Sequence, residues 1–440
     1  MRRVLVLGAG FVAKPLVRYL LDEDLYVRVA DCILSKAEGL IGGYPQGEAL
    51  RLDVADTATL DKFVAEADLV ISLLPYVHHV TVAQLCIKHK KNMVTASYVS
   101  EAMRALDGVA KDAGIIILNE IGLDPGIDHM EAMRIIDDVH NNGGRIKSFR
   151  SYCGGLPAPE ANTNPFGYKF SWSPRGVVLA AKNSARYLKD GKEISIPGEK
   201  LFGHYWTVKI EGLGEFEAYP NRDSIPYIET YGIPETETMY RGTLRNPGWC
   251  ETWKKFVELG LLNEEEQDLN GLNYADLLRR LIGSRPGGDL KRDLAAHLGL
   301  AEDSEVLKRF EWLGLLSDEP LPLKRGSALD VLAARLLEKL QYEEGERDMI
   351  VLQHEFVAAY PDHREKIIST LIDFGIPGGE SSMARTVGLP AAIGAKLVLQ
   401  GEIGLTGVQV PVVPEIYRPV LAELEEQGIA FEERREEPNS

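Results

Sequence analysis

The chain has 440 residues, of which 45% are hydrophobic and 26% charged, a composition that fits two or three globular domains and not a disordered or membrane chain. Lys and Arg number 49 against 66 Asp and Glu, a net charge of -17 that argues against nonspecific binding to nucleic acid or anionic membrane and makes any cationic contact to an anionic substrate a local matter. The four cysteines, Cys32, Cys86, Cys153 and Cys250, form neither a Cys-x-x-Cys pair nor a zinc-ligand spacing, so a reducing compartment and no bound metal are expected.

Met1-Arg2-Arg3 runs straight into Val4-Leu5-Val6-Leu7 and then glycine. That apolar stretch is too short for a signal peptide or a membrane span, and a cytoplasmic protein is expected. Short apolar runs at 4–7, 26–30, 49–54, 69–74, 92–96 and 115–118 predict six strands. The stretches between them at 12–21, 57–66, 80–90 and 101–113 carry helical patterns, and this alternation predicts a doubly wound parallel sheet. The character changes at Gly122-Leu123-Asp124-Pro125-Gly126, which leads into a helix over about 128–141. Residues 145–250 mix strand-like pieces with aromatic and glycine-rich loops, and 251–340 turns leucine-rich with a helical period. Strands follow at 348–356 and 366–373, then helices at 381–399 and 415–427, and the acidic tail is expected to fray. The fold class is therefore α/β: a Rossmann doubly wound domain at 1–122, an α+β catalytic domain from 123–250 and 341–390, and a helical insertion at 251–340. Helices of the C-terminal stretch 381–440 are expected to pack back on the first domain.

Gly8-x-Gly10-x-x-Ala13 follows the first predicted strand and opens a helix, the setting that gives a glycine pattern meaning. Gly8 permits the tight turn, Gly10 lets the backbone approach a pyrophosphate, and Ala13 allows close helix–strand packing. Asp31 lies 21 residues after Gly10, at the end of the second strand. There a carboxylate accepts hydrogen bonds from the adenosine ribose of NAD and repels a 2′-phosphate, so NAD is expected over NADP. Asp53-Val54 and Leu73-Leu74, at the ends of the third and fourth strands, are further cofactor candidates, with plain loop termini as the alternative.

Longer stretches carry a resemblance. Val70-Ile71-Ser72-Leu73-Leu74-Pro75-Tyr76, Met93-Val94-Thr95-Ala96-Ser97-Tyr98, Gly122-Leu123-Asp124-Pro125-Gly126-Ile127-Asp128-His129, Tyr168-Lys169-Phe170-Ser171-Trp172-Ser173-Pro174, Arg241-Gly242-Thr243-Leu244-Arg245 and Ser381-Ser382-Met383-Ala384-Arg385 resemble the glutamate-forming saccharopine dehydrogenases, also called saccharopine reductases. The likeness spans nearly the whole chain outside the helical insertion. It implies interconversion of saccharopine with L-glutamate and 2-aminoadipate 6-semialdehyde, through an imine reduced by hydride from a nicotinamide cofactor. It also implies that Ser97, Tyr98, Asp124, Arg222, Thr243, Leu244 and Arg245 hold saccharopine. Gly10, Phe11, Val12, Ala13, Asp31, Cys32, Asp53, Val54, Ala96, Leu123, Asp124, Pro125 and Ser173 would approach the cofactor.

Saccharopine carries three carboxylates, and guanidinium forks suit carboxylates, which makes Arg222 and Arg245 the first choices for anchoring it. Their alternative is an ordinary surface pair. Imine hydrolysis moves protons at nitrogen and at a carbinolamine oxygen, for which Asp124, Tyr98 and Cys153 are the candidates. Asp124 has a turn aspartate as its alternative reading, and Cys153 lacks a nearby histidine and is expected as a polar pocket contact. His129 is expected to be a satisfied helix-start residue, not a metal ligand, and Lys169 is not needed as a Schiff base because the substrate brings its own amine. Fungal biosynthetic relatives tend to place an arginine where this chain has Asp31-Cys32-Ile33, a departure that again points to NAD and leans toward lysine breakdown. Two other readings stay open: an imine-reducing dehydrogenase of the carboxyspermidine type, whose diamine would call for acidic residues in place of the arginines, and a noncatalytic dinucleotide-binding regulator. A homodimer is an open expectation for the assembly.

Overall fold

Val4, Leu5, Val6 and Leu7 are fully buried in the computed structural model of the chain, which describes residues 1–172 and 174–437. They belong to β1 (Arg3–Leu7), one of six N-terminal strands with β2 (Tyr26–Asp31), β3 (Gly47–Arg51), β4 (Leu69–Ser72), β5 (Asn92–Val94) and β6 (Ile116–Leu118). The sheet runs Gly407–Gln409, β6, β5, β4, β1, β2, β3, and every neighbouring pair is parallel. Parallel strands carry crossover helices on their faces and so read as continuous apolar runs, which makes β1, β2, β4 and β6 legible in the sequence, whereas β3, an edge strand with no fully buried residue, lies at 47–51 and not at the 49–54 expected. The strand order reverses between β1 and β4, and at such a point the chain leaves a crevice at the carboxyl ends of the strands.

The crossovers carry α1 (Ala13–Asp22), α2 (Leu34–Ile41), α3 (Thr57–Glu66), α4 (His79–His89), α5 (Glu101–Arg104) and α6 (Asp107–Ala113), and α7 (Ile127–Asn141) follows β6. The single helix expected over 101–113 is two, because the chain turns after Arg104 and restarts at Asp107; Ser100 caps the first by accepting from the Met103 N–H at 3.1 Å.

Residues Met1–Ile146, Thr230–Gly232 and the chain from Ala358 onward make one compact unit, and Lys147–Glu229 with Ile233–Val357 make a second. In the first, the late helix Ser382–Gln400 lies against the N-terminus of α1. A Cβ on Gly388 would sit 2.7 Å from the Val12 carbonyl oxygen, so only glycine permits this approach. The described part of the tail is not frayed as expected: Glu432–Glu436 pairs antiparallel with Arg364–Phe374, and residues 438–440 of that expectation lie outside the described residues. Arg134 bonds Glu433, and Arg435 bonds Asp138 at 2.7 Å, so the tail's charges are matched by residues of α7.

The second unit holds a mixed sheet in the order Trp206–Ile210, Gly214–Pro220, Thr238–Arg245, Arg145–Pro157, Asp348–Ala359, with Ala185–Lys189 and Lys192–Ile196 beside it. Five helices, Trp249–Glu258, Tyr274–Ile282, Leu290–Leu298, Glu305–Trp312 and Ala328–Lys339, form an apolar core around Trp253, Phe256, Phe310 and Leu332. Two of them begin with reciprocal caps, Asn273 with Asp276 and Ser327 with Asp330, which satisfy backbone N–H groups that a helix start leaves unpaired.

Candidate active site

The carboxyl edge of the parallel sheet gathers most of the cofactor candidates. Gly8 leaves β1 with φ +103°, and a Cβ there would lie 3.1 Å from the Leu73 carbonyl oxygen, so both conformation and space require glycine. Gly10 differs: a Cβ on it meets no atom within 4 Å. The backbone there borders open space at the start of α1, and a cradle of that kind fits a pyrophosphate approaching backbone N–H groups. Ala13 is buried against the sheet and Phe11 is 73% exposed on the turn. Val12, Leu73, Leu74 and Ala96 are half-buried, and Leu123 and Pro125 are buried beside the half-buried Asp124. Gly122 lets this last loop approach Ala96, whose Cβ would lie 2.9 Å from a Cβ at 122. Asp53 and Val54 follow β3, the far edge strand, and the Asp53 carboxylate accepts the Ala55 N–H at 3.0 Å in a local turn.

Asp31 is committed to the chain's own backbone. One carboxylate oxygen accepts the Ala9 N–H at 2.8 Å, and the other accepts the Ile33 N–H at 2.8 Å and the Cys32 thiol. Partial burial pushes its carboxyl up, but those N–H groups, the thiol and the Lys36 charge together hold it below the usual carboxylate range.

Beyond β5 and β6 the loops bring Tyr98 and Asp124 together: the phenol donates to Asp124 Oδ1 at 2.9 Å. Ser97 sits at the end of a second set of bonds. His79 Nε2 lies 2.8 Å from Ser97 Oγ and its Nδ1 2.9 Å from Ser72 Oγ, and burial pushes the imidazole down to about 4, which keeps it neutral at physiological pH. His129, in the first turn of α7, is fully buried between Tyr231 and Glu120. His79, Glu120 and Tyr231 were not legible in the sequence. Each is a lone polar residue whose partners come from other elements, and no spacing rule marks it.

In the second unit, Thr243 and Cys153 face each other across a parallel pair of strands. Cys153 is buried and Thr243 half-buried. Gly154 lets the backbone approach Leu244, whose Cβ would be 2.8 Å from a Cβ at 154. Arg222 is exposed, with φ +56°, an uncommon conformation for a residue with a side chain. Arg245 is 5% exposed. Its guanidinium lies 4.8 Å from the Tyr168 ring centre and 5.2 Å from that of Trp249, and Nη1 donates to the Leu244 carbonyl at 2.8 Å. Its Nε has no partner among the described residues, and neither do the Tyr168 hydroxyl and the Trp249 indole N–H. Lys169 is paired with Glu346 at 2.5 Å, so its ammonium is already matched by a carboxylate. Ser173 lies outside the described residues. Among the described residues no group of three or more His, Cys, Asp or Glu side chains is placed to hold a metal ion, and no helix is long and apolar enough to cross a membrane.

The family model described as Saccharopine dehydrogenase NADP binding domain matches residues 4–118, and that of the Saccharopine dehydrogenase C-terminal domain matches 122–429. The saccharopine dehydrogenase (NADP(+), L-glutamate-forming) of Saccharomyces cerevisiae is 46% identical over 98% of this chain and 99% of its own. The protein of the same name from Pyricularia oryzae is 44% identical with the same coverage. The mitochondrial alpha-aminoadipic semialdehyde synthase of Bos taurus is 42% identical over 98% of this chain, which covers 47% of that protein. The solved apo saccharopine dehydrogenase (L-Glu forming) of S. cerevisiae superposes with a TM-score of 0.91 at 45% identity, covering 99% of this chain and 100% of its own.

The expectation of NAD over NADP is overturned. The fungal relatives are named for NADP(+), and the matching N-terminal family model is that of an NADP binding domain. The physical reason for the error is visible at Asp31. The Asp31 oxygens accept the Ala9 and Ile33 N–H groups, so an aspartate at this strand end is accounted for by the turn it closes and does not by itself report which dinucleotide binds. The inference to lysine breakdown drawn from the cofactor falls with it.

Proposed function

Since the chain belongs to the saccharopine dehydrogenase family, we propose that it is an oxidoreductase acting on a CH–NH bond. It interconverts saccharopine with L-glutamate and 2-aminoadipate 6-semialdehyde, with NADP(H) as the dinucleotide. The observation that carries the substrate class is Arg245. Its buried Nε has no hydrogen-bond partner among the described residues, and Glu217, opposite it on the neighbouring strand, gives its carboxylate to the Gly248 and Cys250 N–H groups, so an anionic ligand would complete the site. A diamine substrate would set a second cation against it, which weighs against the carboxyspermidine type.

Gly8, Gly10 and the start of α1 would hold the pyrophosphate, with Phe11 to Ala13, Leu73, Leu74, Ala96 and Leu123 to Pro125 along the same edge. When bound, NADP(H) supplies or accepts the hydride at the carbon of the C–N bond. Ser97, Arg222 and Thr243 to Arg245 bind the carboxylates and amine of saccharopine. Asp124 and Tyr98 share a hydrogen bond, and such a carboxylate–phenol pair takes up the proton leaving the substrate nitrogen, accepts one from water as it adds to the imine carbon, and returns one to the nitrogen as the carbinolamine C–N bond breaks. Cys153, beside Thr243, lines the substrate pocket. We place the protein in the cytoplasm, where its cysteine thiols would stay reduced.

The test is absorbance of the reduced cofactor with purified protein and saccharopine at alkaline pH, run in parallel with NADP and NAD. Saccharopine-dependent reduction of NADP supports the assignment. No signal with saccharopine, together with activity on a polyamine imine, overturns it.

A further inference from the structure

Glu120 is the one residue between β6 and the Gly122–Gly126 loop with a left-handed backbone and a side chain, at φ +56°. It is also nearly buried. A glutamate gains nothing from that conformation by itself, so the surroundings must hold it there. The surroundings are specific. The Glu120 N–H donates to the Ser97 carbonyl at 3.1 Å, and its Oε1 accepts the Val99 N–H at 2.9 Å. The two bonds grip the chain on either side of Tyr98, the residue whose phenol reaches Asp124.

The second carboxylate oxygen faces away from Tyr98. Oε2 meets His129 Nε2 at 2.9 Å, and His129 Nδ1 meets the Tyr231 hydroxyl at 2.6 Å. His129 has no solvent exposure and Tyr231 is 2% exposed, with their rings edge-on at 5.7 Å. With its proton on Nε2, the imidazole donates to the carboxylate and accepts from the phenol.

We propose that Glu120, His129 and Tyr231 form a positioning relay for the Tyr98–Asp124 pair. His129 and Tyr231 fix the Glu120 carboxylate, and the carboxylate with its own backbone fixes the Ser97–Val99 segment. None of the three touches the reacting atoms. Their effect reaches the chemistry through the direction of one phenol. This inference rests on the saccharopine reaction proposed above.

Glu120→Gly is the informative variant, because glycine keeps φ +56° without strain and retains the N–H to Ser97 while deleting the carboxylate. The expected result is a loss in kcat of about 10- to 100-fold, the scale of a misaligned catalytic group. The Kd for NADPH, read by fluorescence, should stay unchanged. Glu120→Gln, whose carbonyl oxygen can still accept from Val99, restores most of kcat, and Tyr231→Phe shows a smaller loss. The deciding measurement is a double-mutant cycle. If Glu120 acts through Tyr98, then Glu120→Gly adds nothing in a Tyr98→Phe background, where the phenol is already gone. Equal losses in both backgrounds, a Tyr98→Phe variant with normal kcat, or a parallel loss of NADPH binding overturns the relay while leaving the reaction in place. A wild-type enzyme inactive on saccharopine overturns both.

Discussion

Replacing Arg245 by methionine should move stability and substrate binding in different ways, and the structure sets both magnitudes. In the free protein the guanidinium is buried with its Nε unpartnered among the described residues, and Glu217 opposite it spends its carboxylate on the Gly248 and Cys250 N–H groups, a penalty of several kcal/mol in general terms. Against that stand two aromatic faces, about 0.5–2 kcal/mol each, and one bond to the Leu244 carbonyl, about 1 kcal/mol. These contributions roughly offset, and methionine fills much of the same volume between Tyr168 and Trp249. Thermal unfolding of Arg245→Met should therefore fall within about 4 °C of wild type, the shift that about 1 kcal/mol produces. Binding is another matter, because a substrate carboxylate that loses a buried guanidinium loses about 2–5 kcal/mol. The KM for saccharopine should rise at least about 30-fold, at about 1.4 kcal/mol per factor of ten. Steady-state kinetics with saccharopine varied at saturating NADP, beside calorimetric unfolding of the apo protein, reads both. An unchanged KM together with a Tm lowered by about 10 °C or more would show that Arg245 is a structural residue, and the carboxylate assignment would be wrong.

Gly8→Ala forces a side chain into φ +103° and against the Leu73 carbonyl; a loss of about 1–3 kcal/mol in stability and of NADPH affinity is expected, measured by urea unfolding and fluorescence titration. Burial pushes His79 down from 6.5 to about 4, so on acidification the unfolded chain takes up a proton before the native protein does. Stability should then fall as pH drops from 6.5 toward 4, by up to about 3 kcal/mol, and His79→Gln should flatten this part of a urea-unfolding pH series. Removing residues 432–440 strips the strand paired with Arg364–Phe374 and the charges opposite Arg134 and Asp138. Exposed ion pairs contribute about 0–1 kcal/mol each, so a Tm lowered by several degrees in calorimetry is expected, whereas a frayed tail would leave Tm unmoved.

Legibility followed how locally each feature is determined. The helix at 57–66 was readable to the residue because Asp56 caps it, accepting from the Thr59 N–H, and Leu60 and Val64 repeat at helical spacing. The strand Gly407–Gln409 was not, since three residues carry no period and its place beside β6 comes from packing alone. The helix Leu34–Ile41 was missed for a related reason: a glycine interrupts it and only Ala37, Leu40 and Ile41 are buried. At the site, Gly8 and Gly10 were legible because backbone geometry restricts the residue type. Arg245, Thr243 and Asp124 were reached through resemblance, as nothing in their spacing marks them. Asp31 shows the opposite error. Its position was read correctly, but a carboxylate at a strand end has several partners to choose from, and sequence does not say that Ala9 and Ile33 are the ones bound.

The sheet that opens with the first residues of the chain is closed by some of the last. Gly407–Gln409 covers the free side of β6, and Gly388 brings a late helix against Val12 at the mouth of the glycine turn. On a ribosome, the segment 1–146 must therefore wait for more than two hundred further residues, with β6 exposed as an unpaired edge that invites association with other chains. A shortened gene product ending before residue 388 would keep the whole glycine motif yet lack the packing that sets its shape.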